Sequence, residues 1–202
     1  MTNIERMKQG KVYNPDDATL LAEQLEAQEL NDRYNGLRRS EMNLKEDMLQ
    51  QMFAEFGTGG MIETPFHANW GGKHVHVGKN FYANFNLTLV DDGEIYIGND
   101  TMFGPNVTIA TAGHPIYPAI RAKHYQFNKT VKIGNNVWLG SNVTVLPGVT
   151  IGDNSVIGAG SIVTKDIPAN VVAVGIPCKV LREINQHDHD YFYKDEKLDI
   201  WE

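Results

Sequence analysis

His114 is followed by Pro115 and stands where a six-residue repeat of aliphatic residues breaks off. An imidazole titrates close to neutral pH, so a fixed histidine can take a proton from an attacking hydroxyl. Proline restricts the residue before it, which pins the backbone of His114. The same residue also fits a plain surface histidine in a loop. His74 and His76 alternate along KHVHV, so a strand there would put both on one face, where they could hold a metal. No third ligand stands out beside them, although His124 could be drawn in, and exposed strand residues are the simpler reading. Asp92, in VDDG, sits at an Asp-Gly turn signal, and Asp16-Asp17 lies where a helix should start. The run His187-Asp188-His189-Asp190 reads as a solvated tail. The one cysteine, Cys178, cannot form an internal disulfide and reads as a small buried hydrophobe.

The repeat that His114 interrupts specifies the architecture. Ile133, Leu139, Val145, Ile151, Ile157 and Val163 recur every six residues, and Gly134, Gly140, Gly152 and Gly158 follow four of them. The fourth position of each hexad is Asn136, Asn142, Gly148, Asn154, Gly160 or Asp166. These residue types tolerate the left-handed backbone of a sharp corner. Six is neither the helical nor the strand period, so the pattern implies a coil that turns corners, a parallel β-helix. About eighteen residues per three-sided coil predicts two coils between 133 and 168, stacked at about 4.8 Å. Val137, Val143 and Val149 are expected to line the corners. Earlier hexads are present as Ile97-Gly98, Phe103-Gly104 and Ile109, and imperfectly as Val77-Gly78. Between 113 and 129 the pattern vanishes, so GHPIYPAIRAKHYQFNK is expected to leave the coil as a loop. Long excursions of this kind are uncommon and often functional.

Residues 1–56 read as a helical segment. Asp16 or Asp17 can cap a first helix in which Leu21, Leu25, Leu30, Tyr34 and Leu37 follow helical spacing and Gly36 marks the end. Ser40 is a natural cap for a second helix, with Leu44, Met48, Met52 and Phe56 as its apolar stripe. GTGG at 57–60 breaks the pattern, which assigns 57–182 to the β-helix. Residues 183–202 form a polar tail with Tyr191, Phe192, Tyr193 and Trp201, expected to pack on a neighbouring surface.

The chain has 202 residues, enough for one core domain and a small appendage. Its 18 basic and 25 acidic residues give a net charge of -7, which repels phosphate backbones, so nucleic acid is not an expected partner. No apolar run is long enough to cross a bilayer, so no membrane is expected either. The opening MTNIERMKQGK lacks the apolar region of a signal peptide. With the lone cysteine, this leads to the expectation of a cytoplasmic protein.

The hexads, together with GKVYNPDD, NFYANFNLTLVDD, TAGHP and GIPCKVLREI, resemble the maltose/galactoside O-acetyltransferases, a branch of the hexapeptide-repeat acyltransferases. The resemblance spans nearly the whole chain and is closer to the galactoside enzymes. It implies a mainly β protein, a left-handed parallel β-helix with a small N-terminal helical segment. It also implies acetyl-CoA as co-substrate, no metal, a galactoside- or maltose-like sugar hydroxyl as acceptor, and a homotrimer with sites between subunits. His114 is then the general base and Asn84 lies at the reacting centre and the acceptor. Asp16 (or Asp17), Tyr82 and Asp92 stand beside the acceptor. Each has a plainer alternative: a ladder or turn cap for Asn84, a turn for Asp92, a helix cap for Asp16 or Asp17.

For coenzyme A, the resemblance implies Trp138 along the pantetheine arm and the Ser141 backbone N–H on the thioester oxygen. Ala159 offers backbone groups without bulk, while Thr164, Lys165, Lys179 and Arg182 supply a hydroxyl and cations for the phosphates. One departure concerns Trp70: where the galactoside enzymes carry a serine, and the maltose enzymes an acid, before a Tyr-Gly pair, this chain reads HANWGG. An indole at that position would stack on a sugar ring or block the pocket. Other functions remain open: a hexapeptide acyltransferase for an antibiotic or amino acid, a β-helical zinc hydratase, or a non-enzymatic scaffold.

Overall fold

The computed structural model describes residues 1–200, so Trp201 lies outside the described residues. Short strands separated by corners wind into a three-sided parallel β-helix. One face holds Glu55–Phe56, Val75–Val77, Ile95–Ile97, Val131–Ile133 and Thr150–Ile151. The next holds Met61–Ile62, Tyr82–Ala83, Met102–Phe103, Trp138–Leu139, Val156–Ile157 and Val171–Val174, with Lys179–Glu183 turned back antiparallel at its end. The third holds Phe66–Ala68, Leu87–Val90, Thr108–Ala110, Thr144–Val145 and Ile162–Val163.

Alternate residues point inward, and the hexad aliphatics form one continuous buried column that includes Val77, Ile97, Ile133, Leu139, Val145, Ile151, Ile157 and Val163. Val137, Val143 and Val149 are buried with them. Each such side chain contributes about 1.5–3 kcal/mol by leaving water. The corners are left-handed where expected, at Asn136 (φ 53°), Asn142 (φ 59°), Gly148 (φ 84°), Asn154 (φ 61°) and Gly160 (φ 73°). Their amides stack from coil to coil, Asn136 on Asn154 at 3.1 Å and Asn154 on Asn170 at 2.8 Å. Asp166 differs: it is not left-handed, and its carboxylate accepts the Thr150 N–H at 2.8 Å instead.

Two corners of the triangle keep the six-residue step throughout, as from His76 to Tyr82 and from Tyr82 to Thr88. The corner from the third face back to the first does not. It takes nine residues from His67 to His76, eight from Thr88 to Tyr96, twenty-four from Thr108 to Lys132, and six from Thr144 to Thr150. Register partners are therefore eighteen residues apart only in the later coils, Lys132 beside Thr150 and Trp138 beside Val156. The expected loop at 113–129 is a hairpin: Ala112–Gly113 pairs antiparallel with Phe127–Asn128, and Pro118–Arg121 forms a helical turn near the tip.

The N-terminal segment contains helices Asn3–Lys8, Ala18–Gly36 and Met42–Met52. Asp17 caps the long helix, accepting the N–H groups of Thr19 and Leu20. Asn31 and Asn35 of that helix bond the backbone of Ala68 and Phe66, which satisfies groups on an end strand that no further coil covers. The buried stripe there is Leu20, Asn31 and Tyr34, so Leu21 and Leu25 face outward. Ser40 does not cap the following helix: Glu41 occupies that position without a side-chain bond, its carboxylate accepting the Arg38 N–H. The buried side of that helix is Lys45, Leu49 and Met52, which leaves Leu44 exposed. Phe56 belongs to the first strand, which lies ahead of residue 57, because its backbone pairs with Val75–Val77. At the other end, helix Gln186–Asp190 and a hairpin of Tyr191–Tyr193 with Glu196–Lys197 follow the last strand.

Candidate functional site

His114 leaves the coil immediately after Ala112–Gly113 and is exposed. Its Nδ1 lies 2.9 Å from the backbone oxygen of Tyr125, on the returning arm of the hairpin. A carbonyl oxygen only accepts, so Nδ1 carries the proton and a neutral His114 presents Nε2 as a proton acceptor. A base held this way has the tautomer needed to take a proton from a hydroxyl.

The other variable corners stack beside this hairpin and build a cleft of about 230 Å³. Asp16, Trp70 and Asp92, three of the residues expected at the acceptor, line it together with Tyr13, Leu20 and Gln126. Asp17 is the helix cap, and Asp16 lines the cleft. Trp70 is only 3% exposed, packed against Met7, Tyr13 and Leu20, so it is a wall of the cleft and not an open stacking platform. Its indole N–H reaches Asp92 Oδ1 at 3.4 Å, and Asn69 donates to Asp92 Oδ2 at 2.9 Å. The Asp92 carboxylate is thus aimed by the corner one coil below it.

Asp91, the neighbour of Asp92, is fully buried and accepts the N–H groups of Trp70 at 2.8 Å and Gly72 at 2.9 Å. Burial pushes its carboxyl up to about 7, against these two bonds, which favour the charged form. Burial likewise pushes the Tyr13 phenol up, and the Asp92 charge adds to the effect. Tyr82 and Asn84 do not join this cleft. Tyr82 is on the second face, in the outward row with Met102 and Trp138, and Asn84 turns its Oδ1 to the Phe85 N–H at 2.8 Å.

Of the residues expected to hold coenzyme A, Trp138, Lys179 and Arg182 lie on the second face, Ser141 and Ala159 at the corner that follows it, and Thr164 and Lys165 just past Ile162–Val163 of the third. Trp138 is 51% exposed, and Val156 and Val172 continue its row to Arg182. Ser141 and Ala159 stack at one corner, where Gly104 and Gly140 leave no room for a Cβ against their backbone. Thr164, Lys165 and Lys179 are exposed, and neither lysine is in an ion pair among the described residues. Arg182 differs: both its terminal nitrogens lie 2.6 Å from the oxygens of Asp188, whose carboxyl those bonds hold down at about 2.

His74 and His76 do not converge on a metal. His74 bonds the Asp91 carbonyl at 2.7 Å and burial pushes its imidazole down, whereas His76 meets Glu94 at 2.9 Å and stacks on Tyr96. His124 lies elsewhere, 2.8 Å from Asp16. No group of three or more His, Cys, Asp or Glu residues among the described residues could hold a metal ion. No described helix is long and apolar enough to cross a membrane. Cys178 is buried, which raises its thiol above the ordinary value. Asn69, Asp91, His124 and Gln126 were not singled out for this cleft by sequence. The available signal was that Asn69 and Asp91 open the corners that exceed six residues.

Residues 130–165 match the bacterial transferase hexapeptide family (six repeats), and residues 6–57 match the maltose acetyltransferase hexapeptide capping motif. A hexapeptide-repeat transferase with that type of cap is the class these define. A galactoside O-acetyltransferase of Lactococcus lactis is 50% identical over 99% of this chain and 97% of its own. A solved galactoside acetyltransferase in complex with coenzyme A superposes with a TM-score of 0.95 at 46% identity, covering 98% of this chain and 99% of that one. The maltose O-acetyltransferase from Clostridium difficile gives 0.88 at 42% identity, over 92% and 98% of the two chains. The chain belongs to the maltose/galactoside O-acetyltransferase family.

Proposed function

We propose that this protein transfers an acetyl group from acetyl-CoA to a hydroxyl of a galactoside- or maltose-like sugar, with His114 as general base. The observation that carries the reading is the bond from His114 Nδ1 to the Tyr125 carbonyl, which leaves Nε2 to accept a proton, on an arm whose next residue, Gln126, lines the carboxylate-bearing cleft. Acetyl-CoA supplies the acyl group as a thioester. His114 takes the hydroxyl proton as the new C–O bond forms and returns it to the sulfur as the C–S bond breaks. A positioned base of this kind contributes about 10²–10⁴-fold. Asp16 and Asp92 accept hydrogen bonds from neighbouring sugar hydroxyls, and the Ser141 amide donates to the carbonyl oxygen. Asn84 contributes at the same centre, and Tyr82 lies along the acceptor.

The second face and the residues beside it suit the coenzyme. Trp138 offers an apolar surface to the pantetheine arm, Ala159 leaves its backbone open, and Thr164, Lys165 and Lys179 offer the phosphates a hydroxyl and two cations without an ion pair among the described residues. A homotrimer in the cytoplasm completes the reading. The excursion ends in Ile116, 88% exposed, and Tyr117, 67% exposed, an apolar tip that a neighbouring subunit would cover. That contact also explains why Tyr82 and Asn84 stand apart from the cleft: they serve the cleft of the adjoining chain.

A panel of sugar, amine and antibiotic acceptors, with free-thiol release as readout, tests the proposal. Thiol release that depends on a galactoside or maltose acceptor supports it, and release driven only by an amine acceptor overturns it.

A further inference from the structure

Four residues on the returning arm of the excursion each hold a different part of the site. His124 Nδ1 meets Asp16 Oδ2 at 2.8 Å, across 108 residues of sequence. The Tyr125 carbonyl fixes His114. Gln126 pairs with the Tyr13 backbone in both directions, at 2.9 and 3.0 Å, and its amide donates to the Tyr13 hydroxyl at 2.6 Å. Asn128 donates to the Asp92 carbonyl at 2.7 Å. The arm therefore links His114 to the Asp16 carboxylate and to the backbone of Asp92. His124 has a φ of 62°, in the left-handed region that few residues other than glycine adopt and that Asn, Asp and His enter more readily than the rest.

From this geometry we infer that His124 is a positioning residue for the acceptor: it holds Asp16 by one oxygen so that the other faces the cleft. The inference rests on the acetyl-transfer reading and extends it to a residue outside the cleft lining. An aspartate on the exposed N-terminal segment has free rotamers, and a single charge-assisted bond selects the productive one. The arm that orients the base thereby also fixes where the acceptor hydroxyls are held.

Two replacements separate the side chain from the backbone. Glycine at 124 accepts the left-handed conformation and loses the bond, whereas asparagine accepts the conformation and places an N–H donor near the position of Nδ1. His124→Gly is expected to raise the acceptor KM about three- to tenfold, the range of one lost hydrogen bond. Its kcat should stay within about threefold of wild type, and the acetyl-CoA KM should not move. His124→Asn should recover most of the acceptor KM. An unchanged acceptor KM in His124→Gly overturns the inference. So does a fall in kcat with KM unchanged, which would mean that His124 supports only the Tyr125 carbonyl. Hydrogen exchange reads the tie without turnover: Asp16→Asn should speed exchange of the amides at 123–126, and unaltered exchange there overturns the inference as well. If wild-type protein acetylates no sugar, the acetyl-transfer reading fails, and exchange alone then decides whether the tie exists.

Discussion

Two corners of the prism and the third corner follow different rules. From Met61 onward, the first two corners take six residues on each coil, close on Asn, Asp or Gly in the left-handed conformation except at Thr64–Pro65, and turn one apolar residue inward per step. The third corner is six residues long only at Thr144–Thr150, and on the three preceding coils it grows to nine, eight and twenty-four. Trp70 with Asn69, Asp91 with Asp92, and His114 with the 124–128 arm all sit in those enlarged corners, one above another. A parallel coil stacks equivalent corners at about 4.8 Å, so residues far apart in sequence become neighbours at one edge. The regular corners thus secure the scaffold, and one irregular edge gathers the groups that could do chemistry.

The largest test of this division is His114. His114→Asn keeps a donor for the Tyr125 carbonyl but removes the proton acceptor, so kcat should fall by at least about a hundredfold while melting temperature and acetyl-CoA affinity barely change. Near-normal turnover would remove the base from the irregular edge and break the comparison. Leu139→Ala probes the regular side. Leu139 is fully buried in the coil core, so its truncation should cost about 2–5 kcal/mol in denaturant unfolding. The acceptor KM of the protein that remains folded should be unaltered. A large KM change would show that the coils set the acceptor site as much as the corners do.

The later coils were legible because each hexad there carries an aliphatic, and most add a glycine or an asparagine, at fixed places. The earlier coils obey the same rule in groups of three: Phe56, Ile62 and Ala68, then Val77, Ala83 and Leu89, then Ile97, Phe103 and Ile109. Nine, eight and twenty-four residues separate these groups, so a continuous six-residue register loses them at each enlarged corner. The helices were visible by composition, but their buried faces were not. Leu20 and Leu21 compete for one stripe, and only packing with Met7, Tyr13 and Trp70 decides which turns inward. His114, Asp16, Trp70 and Asp92 could be named from sequence. The contacts that aim them could not, since His124 to Asp16 and Asn69 to Asp92 depend on which corners lie above one another.

The smallest expected effect lies where the regular coils meet the tail. Lys165, Lys179 and Arg182 look equivalent as cations for the coenzyme phosphates, but their surroundings differ. Arg182 is already neutralised by two charge-assisted bonds to Asp188, and its guanidinium would have to give these up to meet a phosphate. Lys165 has no carboxylate partner among the described residues. Exposed ion pairs contribute about 0.2–1 kcal/mol, so Lys165→Ala should raise the acetyl-CoA KM by no more than about fivefold, falling further in high salt. Arg182→Ala should raise it less, with kcat and acceptor KM unchanged in both. The reverse order would mean that Arg182 exchanges Asp188 for the coenzyme, and that the tail, and not the coil, closes over its phosphates.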